Sequence, residues 1–289
     1  MGTTSSELEN RSLNRDVAMP SSRASQQSAG SLGCAAAPKP IAGIIFDVEN
    51  VLYDATLWRR WLLRLVNQLG RPAEYETFYR AWDRDYLGDV HCGRREFTEA
   101  LQAFLLASGL SWAQMDEAEA ASRIQRQKLD RRLRPWPGVT KTIAALDGQG
   151  LRLAAWFDTC QPAVELTRRL DGLALGGHFH AVLSSIELEC AQPAAQCYFK
   201  ALASLELAAG ETLYVSRDAA RLAAARAVGL WTAAFNFQPH AAADFHLTRF
   251  EELLAIASNP PASARPMSPS LPADDVSRGS PRLVAGNRR

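Results

Sequence analysis

Short apolar segments recur along this chain between longer stretches that have the composition of helices. Such an alternation is typical of a parallel sheet whose strands are joined by crossover helices. The sequence therefore predicts an α/β fold, with a Rossmann-like parallel sheet of about five strands and helices on both faces. The predicted strands are Ile41–Phe46, Leu151–Phe157, Ala181–Ser184, Thr212–Ser216 and Leu230–Phe235.

About a hundred residues separate the first two predicted strands, far more than one crossover connection needs. This stretch is rich in helix formers and has apolar residues three and four positions apart. We expect an inserted α-helical unit over 56–133, with the core of the domain formed by 40–55 and 134–257. The predicted helices of the insertion lie near Thr56–Leu69, Glu74–Asp85, Arg95–Ser108 and Met115–Leu133.

Composition and charge predict where the chain is disordered, where it is located and which classes of partner it does not bind. Residues 1–39 and 258–289 are polar or proline-rich without a regular apolar pattern, which predicts disordered tails. A net charge of +1, from 32 basic and 31 acidic side chains, gives no basic surface for nucleic acid or anionic lipid. No apolar run is long enough for a signal peptide or a membrane span. We expect a cytoplasmic protein with free thiols that binds neither nucleic acid nor membrane, and the sequence does not identify a protein partner.

The first predicted strand ends directly in an acidic turn. The sequence Ile44-Ile45-Phe46-Asp47-Val48-Glu49 is an apolar run followed by a carboxylate and, two positions on, a second one. Ligands of open α/β sheets bind beyond the carboxyl ends of the strands, so Asp47 occupies a position suited to a functional residue. An isolated pair of acids at this spacing is more often a cap for the following turn.

This segment resembles the first motif of the haloacid dehalogenase superfamily. In that family the first aspartate is a nucleophile and the acid two residues later is a general acid/base, which implies these roles for Asp47 and Glu49. The resemblance covers nearly the whole of 40–257. Arg134–Val139 is similar to the return from cap to core in the phosphoglycolate-phosphatase-like branch, and Ala243–Phe245 is similar to its closing strand. The resemblance implies that the insertion is a helical cap over the site that determines specificity.

Two further motifs of the family are altered at the side chains that would contact the substrate or the nucleophile. Phe157 stands where the family has a serine or threonine hydroxyl for the transferring phosphoryl group. Thr159 could supply that hydroxyl from two residues later, or it could cap the turn. Gln192 stands in the place of the family's lysine, and an amide donates a hydrogen bond without bringing a charge. We expect Asp158, Thr159 and Gln192 to be substrate-binding residues.

The fourth motif should supply acids that hold Mg²⁺, and here its first acid is replaced by Arg217. Mg²⁺ needs oxygen ligands in octahedral geometry, and a guanidinium beside them would repel the ion. Asp47 and Asp218 remain as candidate metal ligands. Without the lysine and the metal, the carboxylates would be uncompensated, so we predict that Arg217 pairs with Asp47 or Glu49.

The leading hypothesis is a member of this family with degenerate catalytic motifs, weak or inactive as a phosphatase and retained for binding or regulation. Its expected ligand is a small anionic or phosphorylated molecule. The alternative is an active hydrolase of a small phosphomonoester or other anionic substrate. It would use Asp47 as nucleophile and Arg217 as a clamp on the substrate, with Mg²⁺ as cofactor. Dehalogenation is disfavoured because the family's dehalogenases resemble its phosphatases in keeping the lysine. No cofactor is predicted for the degenerate form.

Overall fold

The computed structural model describes residues 40–238 and 240–259. The disordered tails predicted over 1–39 and 258–289 lie outside these residues, apart from Ser258 and Asn259. Ser258 is the last residue of a helix, so regular structure extends one residue beyond the predicted core boundary.

Six parallel strands form one sheet in the order β3-β2-β1-β4-β5-β6, which confirms the predicted α/β fold. The sixth strand pairs with β5 through Phe235 and Leu247 and raises the number of strands above the expected five. It lies next to the segment identified by resemblance as the closing strand. The strands are β1 (Gly43–Asp47), β2 (Arg152–Phe157), β3 (Ala181–Ser184), β4 (Thr212–Ser216), β5 (Trp231–Phe235) and β6 (Phe245–Leu247).

Helices cover both faces of the sheet because side chains of each strand alternate between two apolar cores. In β1, Ile44 and Phe46 belong to one core and Ile45 to the other, and all three are fully buried. The first core also contains apolar residues of α6, α7 and α11, and the second those of α9 and α10. These helices are α6 (Val139–Gly148), α7 (Ala163–Gly172), α9 (Ala195–Leu205), α10 (Ala219–Val228) and α11 (Glu252–Ser258), with the single turn α8 (Ser185–Leu188) after β3.

Five helices between β1 and β2, with a π-helical turn at Asp83–Leu87, form a separate apolar core around Leu62, Trp82 and Phe104. We call residues 57–130 the insertion. Its longest helix begins three residues before the predicted Met115, because Ser111 and Gln114 form a reciprocal capping box. The helices are α1 (Leu57–Gln68), α2 (Tyr75–Trp82), α3 (Gly88–His91), α4 (Phe97–Ala107) and α5 (Trp112–Asp130).

The order of the strands places a crevice beside β1. The chain moves from β1 to β2 and β3 on one side and returns to β4 on the other, so β1 and β4 flank the point where the direction reverses. Ligands of such sheets bind at this point, beyond the carboxyl ends of the strands. The insertion lies over these ends, since the buried Ser185 hydroxyl at the end of β3 is 2.9 Å from the carbonyl oxygen of His91 in α3. Within the described residues, no helix has the length and apolarity to span a membrane.

Candidate active site

Asp47 is the last residue of β1, and both of its carboxylate oxygens are engaged by other side chains. Arg221 Nη1 donates to Oδ1 at 2.7 Å, and Ser216 Oγ donates to Oδ2 at 2.6 Å. Ser216 is the last residue of β4, which pairs with β1, so the neighbouring strand ends bring the two side chains together. Only 2% of Asp47 is exposed. The carboxylate is therefore covered by groups of the protein itself.

Arg221 joins Asp47 to a second buried acid. Its Nη2 lies 2.9 Å from Oδ2 of Asp158, which follows β2. Asp218 caps α10 by accepting a hydrogen bond from the backbone N–H of Arg221 at 2.9 Å, which fixes Arg221 in the first turn of the helix beside the strand ends. Asp47, Asp158 and Arg221 form what we call the buried triad.

The ion pair that the sequence analysis assigned to Arg217 is made by Arg221, so that prediction was wrong. Side chains of consecutive residues at a strand end point to opposite sides. Ser216 points toward Asp47, and Arg217, the next residue, does not pair with Asp47 or Glu49. Its buried Nε has no hydrogen-bond partner among the described residues. The cation that pairs with Asp47 is Arg221, one helical turn later, in α10.

The charges of the buried triad are unbalanced, because two acids share one guanidinium. Burial raises the pKa of Asp47, although Arg221 and Ser216 oppose the shift. Burial also raises the pKa of Asp158 to about 7, again against the effect of Arg221. Burial disfavours the charge of Arg221, but Asp47 and Asp158 outweigh this cost and raise its pKa well above the ordinary value. The guanidinium is permanently charged, and the carboxyls retain a proton to unusually high pH.

This proton should be visible in the pH dependence of stability. The folded pKa of Asp158, about 7, lies above the ordinary value of 3.8, so its contribution to stability is fully present at low pH and is lost as pH rises toward 7. We expect Asp158→Asn to reduce the fall in the free energy of unfolding across this range, by up to about 1.4 kcal/mol per pH unit. Urea unfolding at several pH values measures the slope. An Asp116→Asn variant, at an exposed position of α5, is the control; equal slopes in both variants would contradict the assignment.

Glu49 forms no hydrogen bond or ion pair with the described side chains of the buried triad, although the charges of Arg221 and Asp47 act on it. Burial raises its pKa, while Arg59 of α1 is the strongest opposing influence. Glu49, Asp158 and Thr159 line a cavity of about 170 Å³ between the insertion and the strand ends. Asp47 and Arg221 are not among the residues that line it. A molecule in this cavity would therefore meet Glu49 and Asp158 before the predicted nucleophile.

The other two predicted substrate-binding residues have structural hydrogen bonds. Thr159 Oγ1 accepts from the backbone N–H of Gln161 at 3.3 Å, so the threonine caps its own turn while lining the cavity. Gln192 Oε1 accepts from the Tyr214 hydroxyl, and no hydrogen bond joins the amide to Asp47. Phe157 is fully buried in the core and presents no hydroxyl. These three positions supply Asp47 with neither a hydroxyl nor a charge.

The arrangement does not fit the predicted magnesium ion. Asp218 is used as the cap of α10, and both oxygens of Asp47 bind protein groups. A guanidinium 2.7 Å from Oδ1 places a fixed positive charge where a cation ligated by Asp47 would lie. In the part of the chain that the structure describes, no three His, Cys, Asp or Glu side chains are grouped to hold a metal. Arg221 supplies the positive charge beside Asp47.

The sequence analysis missed Ser216 and Arg221 as partners of Asp47. A usable signal was present, because Asp218 precedes an alanine-rich helix and so marks an N-cap, with Arg221 three residues later on the first turn. A side chain at that position lies close to the end of the preceding strand. Arg217 was predicted as the compensating cation because it is the residue that departs from the family motif.

Comparison with known proteins agrees with the fold. A model of a family described as haloacid dehalogenase-like hydrolase matches residues 41–229. A search of curated proteins finds no match to the chain. Many solved structures are similar. The three described next are 15–18% identical to this chain, which shows the fold alone.

Three of these structures, whose descriptions name different activities, show the degree of similarity. A protein assigned as a β-phosphoglucomutase from Thermotoga maritima has a TM-score of 0.56 at 18% identity, covering 75% of this chain and 98% of its own. A predicted phosphoglycolate phosphatase from Haemophilus somnus 129pt has a TM-score of 0.57 at 15% identity, covering 75% and 97%. An L-2-haloacid dehalogenase from Xanthobacter autotrophicus has a TM-score of 0.54 at 17% identity, covering 76% and 100%.

Proposed function

The chain belongs to the haloacid dehalogenase-like hydrolase family, and from this premise we propose that it binds a small anionic molecule in the cavity with weak or no phosphatase turnover. The observation that carries the proposal is the buried triad. Arg221 and Ser216 occupy both oxygens of Asp47, so the carboxylate that would attack a phosphoryl group is already bound. The family relationship supports the retained pocket, and the triad supports the loss of phosphoryl chemistry.

The altered motifs add to this argument. Removal of one group that stabilises transition-state charge typically lowers a rate by a factor of about 10² to 10³. Here the positions of the hydroxyl, the lysine and the first metal acid are held by Phe157, Gln192 and Arg217. The individual losses cannot be multiplied, because groups that act together are not additive. Magnesium-dependent turnover would nevertheless lack several of the groups that stabilise its transition state.

A second candidate function is a hydrolase that works without a metal ion. It is favoured by Asp158, whose pKa of about 7 suits a general acid/base and which lines the cavity. Arg221 would then stabilise negative charge near Asp47. This reaction requires a rearrangement that brings Asp47 to the cavity, which it does not line.

An activity assay separates the two candidates. We expect no turnover of phosphomonoesters or haloacids above the level of the Asp47→Asn variant, with or without Mg²⁺. The physical reason is that the Asp47 carboxylate is buried and does not line the cavity, so a substrate there does not reach it. The guanidinium at 2.7 Å and the hydroxyl at 2.6 Å also stabilise its negative charge and make it a weaker nucleophile. Release of phosphate and of halide are the measurements.

The Asp47→Asn variant is also the control for contaminating enzymes. Activity that is equal in both proteins comes from elsewhere and leaves the proposal standing. Turnover at the rate of an ordinary enzyme, about 1 s⁻¹ or faster, that this substitution abolishes would overturn the proposal and support the hydrolase. Dependence of that turnover on Mg²⁺ would also contradict the absence of a fitting metal site.

A further inference from the structure

The cavity contains three arginines, and the partners of two of them are protein groups. Arg59 of α1 forms a two-point ion pair with Asp83, with distances of 2.6 and 3.0 Å. Arg169 of α7 donates to Gln161 Oε1 at 2.6 Å and lies 3.9 Å from Asp130. Neither guanidinium needs a ligand to compensate its charge.

The third arginine, Arg126 of α5, has no ion pair and no hydrogen bond with another described residue. Its guanidinium carbon lies 4.0 Å from the centre of the Phe97 ring, in a cation–π contact. Burial lowers its pKa, against the weaker influences of Cys160 and Asp130. A half-buried cation stacked on one side by an aromatic ring keeps its hydrogen-bond donors available toward the cavity.

The remaining lining restricts the charge and the shape of a ligand. Glu49, Asp54 and Asp158 also line the cavity, so a second negative charge on the ligand would meet carboxyl groups. Trp58, Trp82 and Phe97 provide an apolar wall. The cavity volume of about 170 Å³ is slightly larger than the roughly 150 Å³ that accommodates benzene, so it suits a ligand with a single ring and a small polar group.

We propose that the cavity binds a small organic monocarboxylate, with the carboxylate on Arg126 and an aromatic or aliphatic body against the wall formed by Trp58, Trp82 and Phe97. This inference rests on the proposed function and names the class of anion. The planar guanidinium matches a carboxylate by two parallel hydrogen bonds. One unpaired arginine compensates one negative charge, which favours a carboxylate over the dianion of a phosphomonoester.

The test is equilibrium binding at pH 8 to the full chain, measured by calorimetry with three probes of similar size: phenylacetate, its neutral isostere phenylacetamide, and phenyl phosphate. We expect phenylacetate to bind, and the other two to bind at least about 10-fold more weakly. Equal or tighter binding of the amide or of the phosphate would overturn the inference. So would the absence of phenylacetate binding at millimolar concentration by the folded protein.

Variants assign the effect to one side chain. Arg126→Gln should weaken phenylacetate binding by about 10-fold or more. Arg123→Gln is the matched control, because Arg123 lies on the same helix with 69% of its side chain exposed, and its affinity should match the parent. Arg126→Lys retains the cation and should keep the preference for carboxylate over amide, which covers the case in which the glutamine variant fails to fold. Unchanged affinity in folded Arg126→Gln would overturn the assignment.

The two proposals fail in different ways. Asp47-dependent turnover at the rate of an ordinary enzyme, about 1 s⁻¹ or faster, would overturn the proposed function and leave the charge preference at Arg126 intact. Binding of phenyl phosphate in preference to phenylacetate would overturn the carboxylate inference and leave an anion-binding protein.

Discussion

Arg221→Met is expected to lower the free energy of unfolding by about 3–5 kcal/mol, the usual cost of removing one partner from a buried ion pair. The substitution leaves Asp47 and Asp158 close together in the interior without the guanidinium that lies 2.7 and 2.9 Å from them. Part of this cost is relieved by protonation, so the loss should be larger at pH 8 than at pH 5. Urea unfolding at both pH values measures the effect.

A matched control and a rescue make this result specific. Arg226 lies on the same helix, is half exposed and pairs with Asp244 at 3.9 Å, so Arg226→Met should cost no more than about 1 kcal/mol. Adding Asp47→Asn and Asp158→Asn to Arg221→Met removes the unpaired charges and should restore much of the stability. A loss no larger than that of Arg226→Met would show that Arg221 does not hold the buried triad together.

Trp82→Ala is expected to lower the free energy of unfolding by about 3–5 kcal/mol, because it removes a large side chain from the core of the insertion. Trp82 is 1% exposed and packs against Tyr86, Phe97 and Phe104, with ring centroids 5.2 to 5.9 Å away. It also lines the cavity, so the insertion and the ligand site share this residue. Thermal and urea unfolding give the change.

Trp112→Ala is the control for the same residue type. Trp112 is 71% exposed at the start of α5, and its removal should change stability by less than about 0.5 kcal/mol. Hydrogen exchange would show where the Trp82 loss acts, with faster exchange expected in α2 and α4. Equal effects of the two substitutions would contradict the assignment of Trp82 to the core.

The sheet could be predicted closely because its four central strands are buried on both faces. Ala181–Ser184 and Thr212–Ser216 have the bounds that the sequence predicts. The last strand, Phe245–Leu247, is too short to show a period of two, and only the resemblance indicated its position. Local patterns therefore identified the long elements, and the three-residue strand depended on tertiary pairing with β5.

The candidate site was predicted less well than the fold. Asp47 could be found because it ends an apolar run, and the chain order of the strands then fixed its place in the crevice. Arg217 and Arg221 lie four residues apart after β4. Which of them reaches Asp47 depends on the direction of each side chain at the junction of strand and helix. Arg126 and Phe97 lie in different helices, so only the packing of the insertion brings that pair to the cavity.

The buried triad limits the order in which its three residues can be exchanged during evolution. Loss of Arg221 before the acids would leave two unpaired charges in the interior, whereas loss of one aspartate first leaves the arginine paired. Evolutionary exchange of these residues is thus constrained in its order, with an aspartate changing before the arginine. Selection for folding alone would keep the three residues together. Joint retention of Asp47, Asp158 and Arg221 in descendants would record a requirement of the fold, and would not by itself indicate catalysis.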